Sequence, residues 1–238
     1  MVKRVKKVKP GGESELATAI STVPPAATPQ PEPSRTILEL LGMSLDELTL
    51  LVQQNPSLYG MLLGYAAEMK LEKIWFEGRP GVSRVQKYDD HDRTRKGDRV
   101  VIYKGVPIQV ECKSLQTSMI ENLGKGRFRG KVQCDASDRR TIHLPDGSTV
   151  TTTCLRVGEF DMLAANLFAF EKKWKFVFAL NQDLPRTSYG KYTAKQQKHL
   201  LASLVPVSWP PEPPFHDEPF SLMDRIVKER GKARTSST

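Results

Sequence analysis

From Gly97 to Lys113 the chain reads Gly-Asp-Arg-Val-Val-Ile-Tyr-Lys-Gly-Val-Pro-Ile-Gln-Val-Glu-Cys-Lys, a pattern that fixes both a hairpin and its register. Residues 99–103 and 106–112 are rich in β-branched side chains, and Lys104-Gly105 between them supplies a two-residue turn. With Tyr103 facing Val106, Asp98 stands opposite Glu111, and Lys113 follows two residues on, on the same face. The other face carries Val101, Tyr103, Val106, Ile108, Val110 and Cys112, as a buried sheet face requires. Two carboxylates about 5 Å apart repel by roughly 3 kcal/mol at an effective dielectric near 20. A cation must offset this. Lys113 does part of it, and a hard divalent ion held by oxygen ligands and substrate phosphate does it better.

Two other Glu-x-Lys tripeptides occur, Glu68-Met69-Lys70 and Glu171-Lys172-Lys173, but only Glu111 has an Asp in register on a preceding strand. Asp98 opening one strand and Glu111-Cys112-Lys113 ending the next resemble the active-site motif of the PD-(D/E)XK nucleases, the restriction-endonuclease-like superfamily. The family's usual Pro before its Asp is absent, and Gly97 stands there. The resemblance implies an α/β fold: a mixed central β-sheet flanked by helices. It implies a Mg2+ ion, with Mn2+ as substitute, held by Asp98, Glu111 and the Cys112 backbone carbonyl. Lys113 would orient the attacking water and stabilise developing charge. An acidic residue on the helix before the hairpin completes the family's site. Glu68 matches that position best, with Glu72 in reserve, and the bland reading is two carboxylates on a solvated helix face.

Glu68 and Glu72 stand four residues apart, a mildly destabilising like-charge pair with no Lys or Arg four residues away to relieve it. Their helix is expected from Pro56 to about Phe76, ended by Gly78, with Leu58, Leu62, Tyr65 and Met69 as its apolar face. Before it, residues 37–41 suggest a short helix ending at Gly42, and Ser44-Leu45-Asp46-Glu47 has the form of a capping box. Residues 79–96 read as a polar loop, whose Asp89, Asp90, His91 and Asp92 are taken as exposed.

Beyond Lys113, residues 114–123 read as a helix or an active-site loop. Lys125, Arg127, Arg129 and Lys131 alternate with Gly and Phe128, a composition suited to following a phosphate backbone; Gln133 is expected to point into the site. Pro145-Asp146-Gly147 marks a hairpin turn. Residues 160–167 and 174–180 are apolar enough for central strands, or in the first case for a strand running into a helix, with Asp161 structural. Residues 193–204 look like a capped helix, residues 206–219 too Pro-rich for a core, and residues 221–230 a short helix. The expected division is a disordered basic and Pro-rich tail (1–34), a nuclease-like domain (35–205), and a Pro-rich segment with a short helix and basic tail (206–238).

The net charge is +9, but residues 1–35 contribute +3 and residues 225–238 contribute +4. The middle is nearly balanced, so charge alone is weak evidence for DNA binding. No apolar stretch approaches the roughly 20 residues of a membrane span, and the basic start precedes no apolar segment of signal-peptide length, so a cytoplasmic protein is expected. Cys112, Cys134 and Cys154 are read as buried free thiols, since no two lie at finger-like spacing from each other or from His143. A Gly-rich phosphate loop, a Gly-x-Ser-x-Gly elbow and a His-Glu-x-x-His helix are all missing.

The expected activity is magnesium-dependent DNA endonuclease cleavage of the restriction or phage-defence type. The alternatives are a non-catalytic nucleic-acid-binding module of the same fold, an exonuclease or junction resolvase, and an interaction protein with an accidental charge cluster. DNA is the expected partner, and a homodimer stays open.

Overall fold

The computed structural model describes residues 35–87 and 97–235. The expected tail over 1–34 and the cluster Asp89–Asp92 lie outside them. The chain divides between Thr49 and Leu50 into two units. The first holds helix α1 (Ile37–Leu41), capped by Thr36 and ended by Gly42, and the start of helix α2 (Leu45–Gln54). The capping box at α2 is formed: the Glu47 amide donates to Ser44 Oγ, and Ser44 N donates to Glu47 Oε2 at 2.8 Å.

In the second unit Pro56 opens helix α3 (Pro56–Leu71), which continues as a wider turn over Glu72–Phe76 and stops at Gly78 (φ 66°). Strand β1 (Val82–Gln86), unforeseen in the expected loop, pairs with β2 (Arg99–Tyr103), and β2 with β3 (Val106–Ser114). Tyr103 pairs with Val106, as the sequence register requires. Lys104 and Gly105 both have positive φ (49° and 76°), the form of a type I′ turn.

Residues 114–123 are neither a full helix nor a loop. They form a single 3-10 turn over Thr117–Met119 and the start of strand β4 (Glu121–Gly124), which turns into β5 (Arg127–Gln133). Strands β6 (Asp135–His143) and β7 (Thr149–Cys154) make a separate ribbon. Strand β8 (Met162–Asn166), helix α4 (Phe168–Glu171) and strand β9 (Phe176–Leu180) follow. Every residue of β8 and β9 is buried, the signature of strands covered on both faces.

The main sheet has the order β1-β2-β3-β8-β9, antiparallel except for the parallel β3–β8 pair. Its first face carries Val101, Tyr103, Ile108, Val110 and Cys112, the apolar face of the hairpin, packed with Ala67, Leu71 and Phe76. Its second face, with Leu163, Ala165, Val177 and Ala179, packs on β5 through Val132. The fold is therefore mixed α/β with helices against a mixed central sheet.

Helix α3 docks through Ala67 and Leu71, not through the expected stripe, for Leu62, Tyr65 and Met69 are exposed. A small residue at the contact lets the helix lie close to the sheet. Helix α5 is only Ala194–Gln197, since Leu200 and Leu201 leave the helix for isolated β-bridges. Strand β10 (Leu204–Trp209) runs into the segment 206–219, expected to be too Pro-rich for a core, and pairs with β5 along its length. As an edge strand of the sheet β10-β5-β4 it tolerates Pro206, while Val205, Val207 and Phe215 are buried.

Helix α6 (Phe220–Thr235) is longer than expected and closes the first core with Leu222, Met223 and Ile226. Residues 206–235 are thus part of the second unit, and a deletion from residue 225 would remove Ile226 from its core. Met223→Ala is expected to cost about 3 kcal/mol in urea unfolding, the usual penalty for truncating a fully buried Met; an unchanged midpoint would show that α6 does not stabilise the sheet. Among the described residues no helix is long and apolar enough to cross a membrane.

Candidate active site

Strand β2 ends at Arg99 while β3 runs on, leaving the Cys112 amide without a strand partner on that side. Asp98 fills the gap: its Oδ2 accepts from Cys112 N at 2.7 Å. The chain can approach this closely because residue 97 is glycine. Gly97 has φ 84°, and a Cβ there would lie 3.3 Å from Gln109 Cβ. Proline, fixed near φ −65°, cannot take that conformation.

Asp98 and Glu111 line one cleft of about 1120 Å³ together with Cys112 and Lys113. Helix α3 supplies one wall through Gly60, Gly64 and Glu68, and the β6–β7 ribbon another through Arg140 and Thr141. Glu111 is 9 % exposed, and Lys113 Nζ lies 2.8 Å from its Oε1. Burial pushes the Glu111 carboxyl up to about 7, the Asp98 charge adds to this, and Lys113 opposes it. For Lys113, burial alone would pull the ammonium down, but the Glu111 and Asp98 charges outweigh it and the net shift is upward. Beside these two carboxyl groups Lys113 is cationic.

Glu68 reaches the same cleft, but its carboxylate is already engaged. Arg99 donates to Glu68 Oε2 at 2.8 Å and to Glu72 Oε2 at 3.1 Å, and Lys87 Nζ lies 3.4 Å from Glu68 Oε2. Burial raises the Glu68 carboxyl, Asp98 raises it further, and Lys87 and Arg99 oppose them. The like-charge pair on α3 is thus relieved across the fold rather than along the helix. Arg99, buried and also donating to Asp98 O at 3.0 Å, ties α3 to the residue that opens the site. The unrelieved Glu68 and Glu72 were the one sequence signal for such a partner.

The donor set suits a divalent ion. Asp98 and Glu111 bring two carboxyl groups to the cleft against the one ammonium of Lys113, so a bound cation would favour their ionised forms. Among the described residues no group of three or more His, Cys, Asp or Glu gathers as a ligand set. Two carboxylates with a backbone carbonyl match an ion that keeps several waters, as magnesium does. Cys112 can offer only its backbone, because its thiol is in the core with its proton held on by burial. All three cysteines are free and buried. Glu171 pairs with Lys175 at 2.7 Å, apart from the cleft-lining residues, and Asp161 is structural, accepting from Gln109 N at 2.7 Å and Arg230 at 2.6 Å.

Four of the five expected DNA-binding residues share one strand face. Arg127, Arg129, Lys131 and Gln133 alternate as exposed positions of β5 with buried Phe128, Gly130 and Val132, while Lys125 sits in the β4–β5 turn with φ 53°. Gln133 lines the cleft. Arg140, Arg156 and Glu159, which the sequence did not single out, line it too. Both Arg140 Nη atoms bond Glu159, whose side chain is 3 % exposed, and Arg156 N donates to Glu159 Oε2 at 2.8 Å.

No family model matches the chain, and no curated protein matches it. Among solved structures, it is similar to that of a bacterial homing endonuclease, I-Ssp6803I, at 20 % identity and a TM-score of 0.30, over 60 % of this chain and 87 % of the other. A superposition of that quality does not establish a common fold, and the functional reading rests on the chemistry of the cleft.

Proposed function

We propose that this protein is a metal-dependent DNA nuclease of the restriction-endonuclease-like kind, hydrolysing phosphodiester bonds in the cleft between α3 and the β6–β7 ribbon. The observation that carries the reading is the pair Asp98 and Glu111, drawn together in one cleft with a single fixed ammonium, Lys113, beside them. Carboxylates are seldom buried side by side without a cation to hold. Asp98, Glu111 and the Cys112 carbonyl would hold Mg2+, or Mn2+ in its place; when bound, such an ion polarises the scissile phosphate and lowers the pKa of a bound water.

Lys113, positively charged, orients the attacking water and offsets charge that develops on the phosphate. Glu68 faces the same space and, held by Arg99 and Lys87, positions water by hydrogen bonding. Inversion in line would leave a 5′-phosphate and a 3′-hydroxyl, the ends that the motif resemblance implies. The narrower reading, an endonuclease of the restriction or phage-defence type, rests on that resemblance.

End-labelled linear duplex incubated with magnesium, manganese or EDTA tests the proposal. Internal cuts that need metal and leave ligatable 5′-phosphates are expected; shortening from the ends alone would make it an exonuclease. Retained binding without any cutting would make it a binding module.

The exposed β5 row should supply sequence-independent affinity. Removing two phosphate contacts with Arg129→Ala/Lys131→Ala is expected to weaken binding equally on unrelated duplexes. It should also lower the slope of log K against log salt by about 2, at roughly 0.9 per phosphate. An unchanged slope would show that DNA does not run along β5.

A further inference from the structure

We propose that the exposed face of the β6–β7 ribbon reads base sequence by entering the major groove of duplex DNA. The inference rests on the duplex-DNA reading above and adds a specificity site to it. Residues paired across an antiparallel ribbon share a face. Thr141 pairs with Thr151 and His143 with Thr149, and all four are exposed. Each pair is joined across the ribbon, Thr141 Oγ1 to Thr151 Oγ1 at 3.1 Å and His143 Nδ1 to Thr149 Oγ1 at 3.0 Å.

The opposite face is anchored. Val150, Cys154, Leu144 and Leu200 form a small core there, Thr152 Oγ1 bonds Tyr192 OH at 2.6 Å, and Gln196 reaches Ser148 Oγ at 3.5 Å near the tip. The ribbon therefore presents a rigid polar surface.

Three features select DNA as the occupant. Thr141 lines the cleft that holds Asp98 and Glu111, so the face continues the wall of the proposed reaction site. The ribbon's acidic residues within its strands, Asp135 and Asp138, stand at the start of β6, and residues 139–143 and 148–156 hold no Asp or Glu but do hold Arg139, Arg140 and Arg156. The one carboxylate at the tip, Asp146, is turned onto Ser148, accepting from its N at 3.0 Å and its Oγ at 2.7 Å. Finally, two strands about 4.8 Å apart with short side chains fit a major groove about 12 Å wide. Threonine hydroxyls both donate and accept, and their methyl groups suit the thymine methyl, so the four residues form a reading surface with few charges of its own.

Selection from randomised duplexes in EDTA measures this without cleavage. The wild type is expected to enrich one motif. The variant Thr141→Ala/His143→Ala/Thr149→Ala/Thr151→Ala is expected to lose at least about tenfold of that preference, the value of a single good base contact. The milder Thr141→Val/Thr151→Val keeps the β-branched shape and should shift the motif at fewer positions, guarding against a folding defect. Arg129→Ala/Lys131→Ala should weaken all sequences alike and leave the motif unchanged. Enrichment of the same motif by the fourfold variant, or of none by the wild type, overturns the inference. Plasmid cutting in magnesium, scored separately, distinguishes the two failures. Cutting without a motif removes the reader and keeps the nuclease; a motif without cutting keeps the reader and removes the nuclease.

Discussion

Lys113→Ala is expected to lower DNA cleavage by about 10²–10³-fold, the usual loss when a preorganised charge at a transition state is removed, while DNA affinity falls only a few-fold. Lys113 has a close partner in Glu111 at 2.8 Å, and its net charge is reinforced there rather than suppressed. In the proposed mechanism its contribution lies in the reacting phosphate and its water, not in general attraction for DNA, for which the β5 row is better exposed. Removing the ammonium also leaves Glu111 buried beside Asp98 with less compensation, so the unfolding midpoint must be measured alongside. If Lys113→Ala unfolds at the wild-type midpoint and still fails to cut, the loss belongs to the chemistry. Cleavage by Lys113→Ala within a few-fold of wild type would remove Lys113 from the mechanism.

Arg99→Met is expected to destabilise the second unit by about 3 kcal/mol, the lower part of the range for breaking a buried ion pair from one side. At that size of unit the melting temperature should drop by about 10 °C. Arg99 is 7 % exposed at its side chain, and Glu68, its nearest partner, 12 %; both are too enclosed for water to replace the lost bonds. The cost comes chiefly from Glu68 left charged with Lys87 alone beside it, so Arg99→Met/Glu68→Gln/Glu72→Gln should recover most of the stability. Failure of that triple variant to recover would mean that Arg99 acts through packing instead of charge.

The hairpin could be read from residues 97–113 because a two-residue turn and strict alternation leave one register, and the same register set Asp98 against Glu111. Glu68 follows from the acidic helix residue that the motif resemblance implies, but Arg99 has no such pointer, since its partners lie 27 and 31 residues away and sequence spacing carries no signal at that distance. β5 alternates polar and apolar residues from Arg127 to Gln133, yet Gly130 and the density of cations hide the strand. In the fold Gly130 faces Phe170, where a Cβ would lie 3.1 Å from the ring. Pro206 suggested an excluded segment because an edge position cannot be told from a central one without the partner strands. The helix over 193–204 failed for a related reason: Leu200 and Leu201 are fully buried, but by bridges to Arg156 and Arg186, not by helical packing.

The most direct test of the central claim is a plasmid assay: supercoiled DNA with wild type and with Asp98→Ala, each in magnesium and in EDTA. Nicked or linear product formed only by the wild type in magnesium is the predicted result. Equal product from Asp98→Ala, or from the wild type in EDTA, would contradict a metal-dependent site at Asp98 and Glu111.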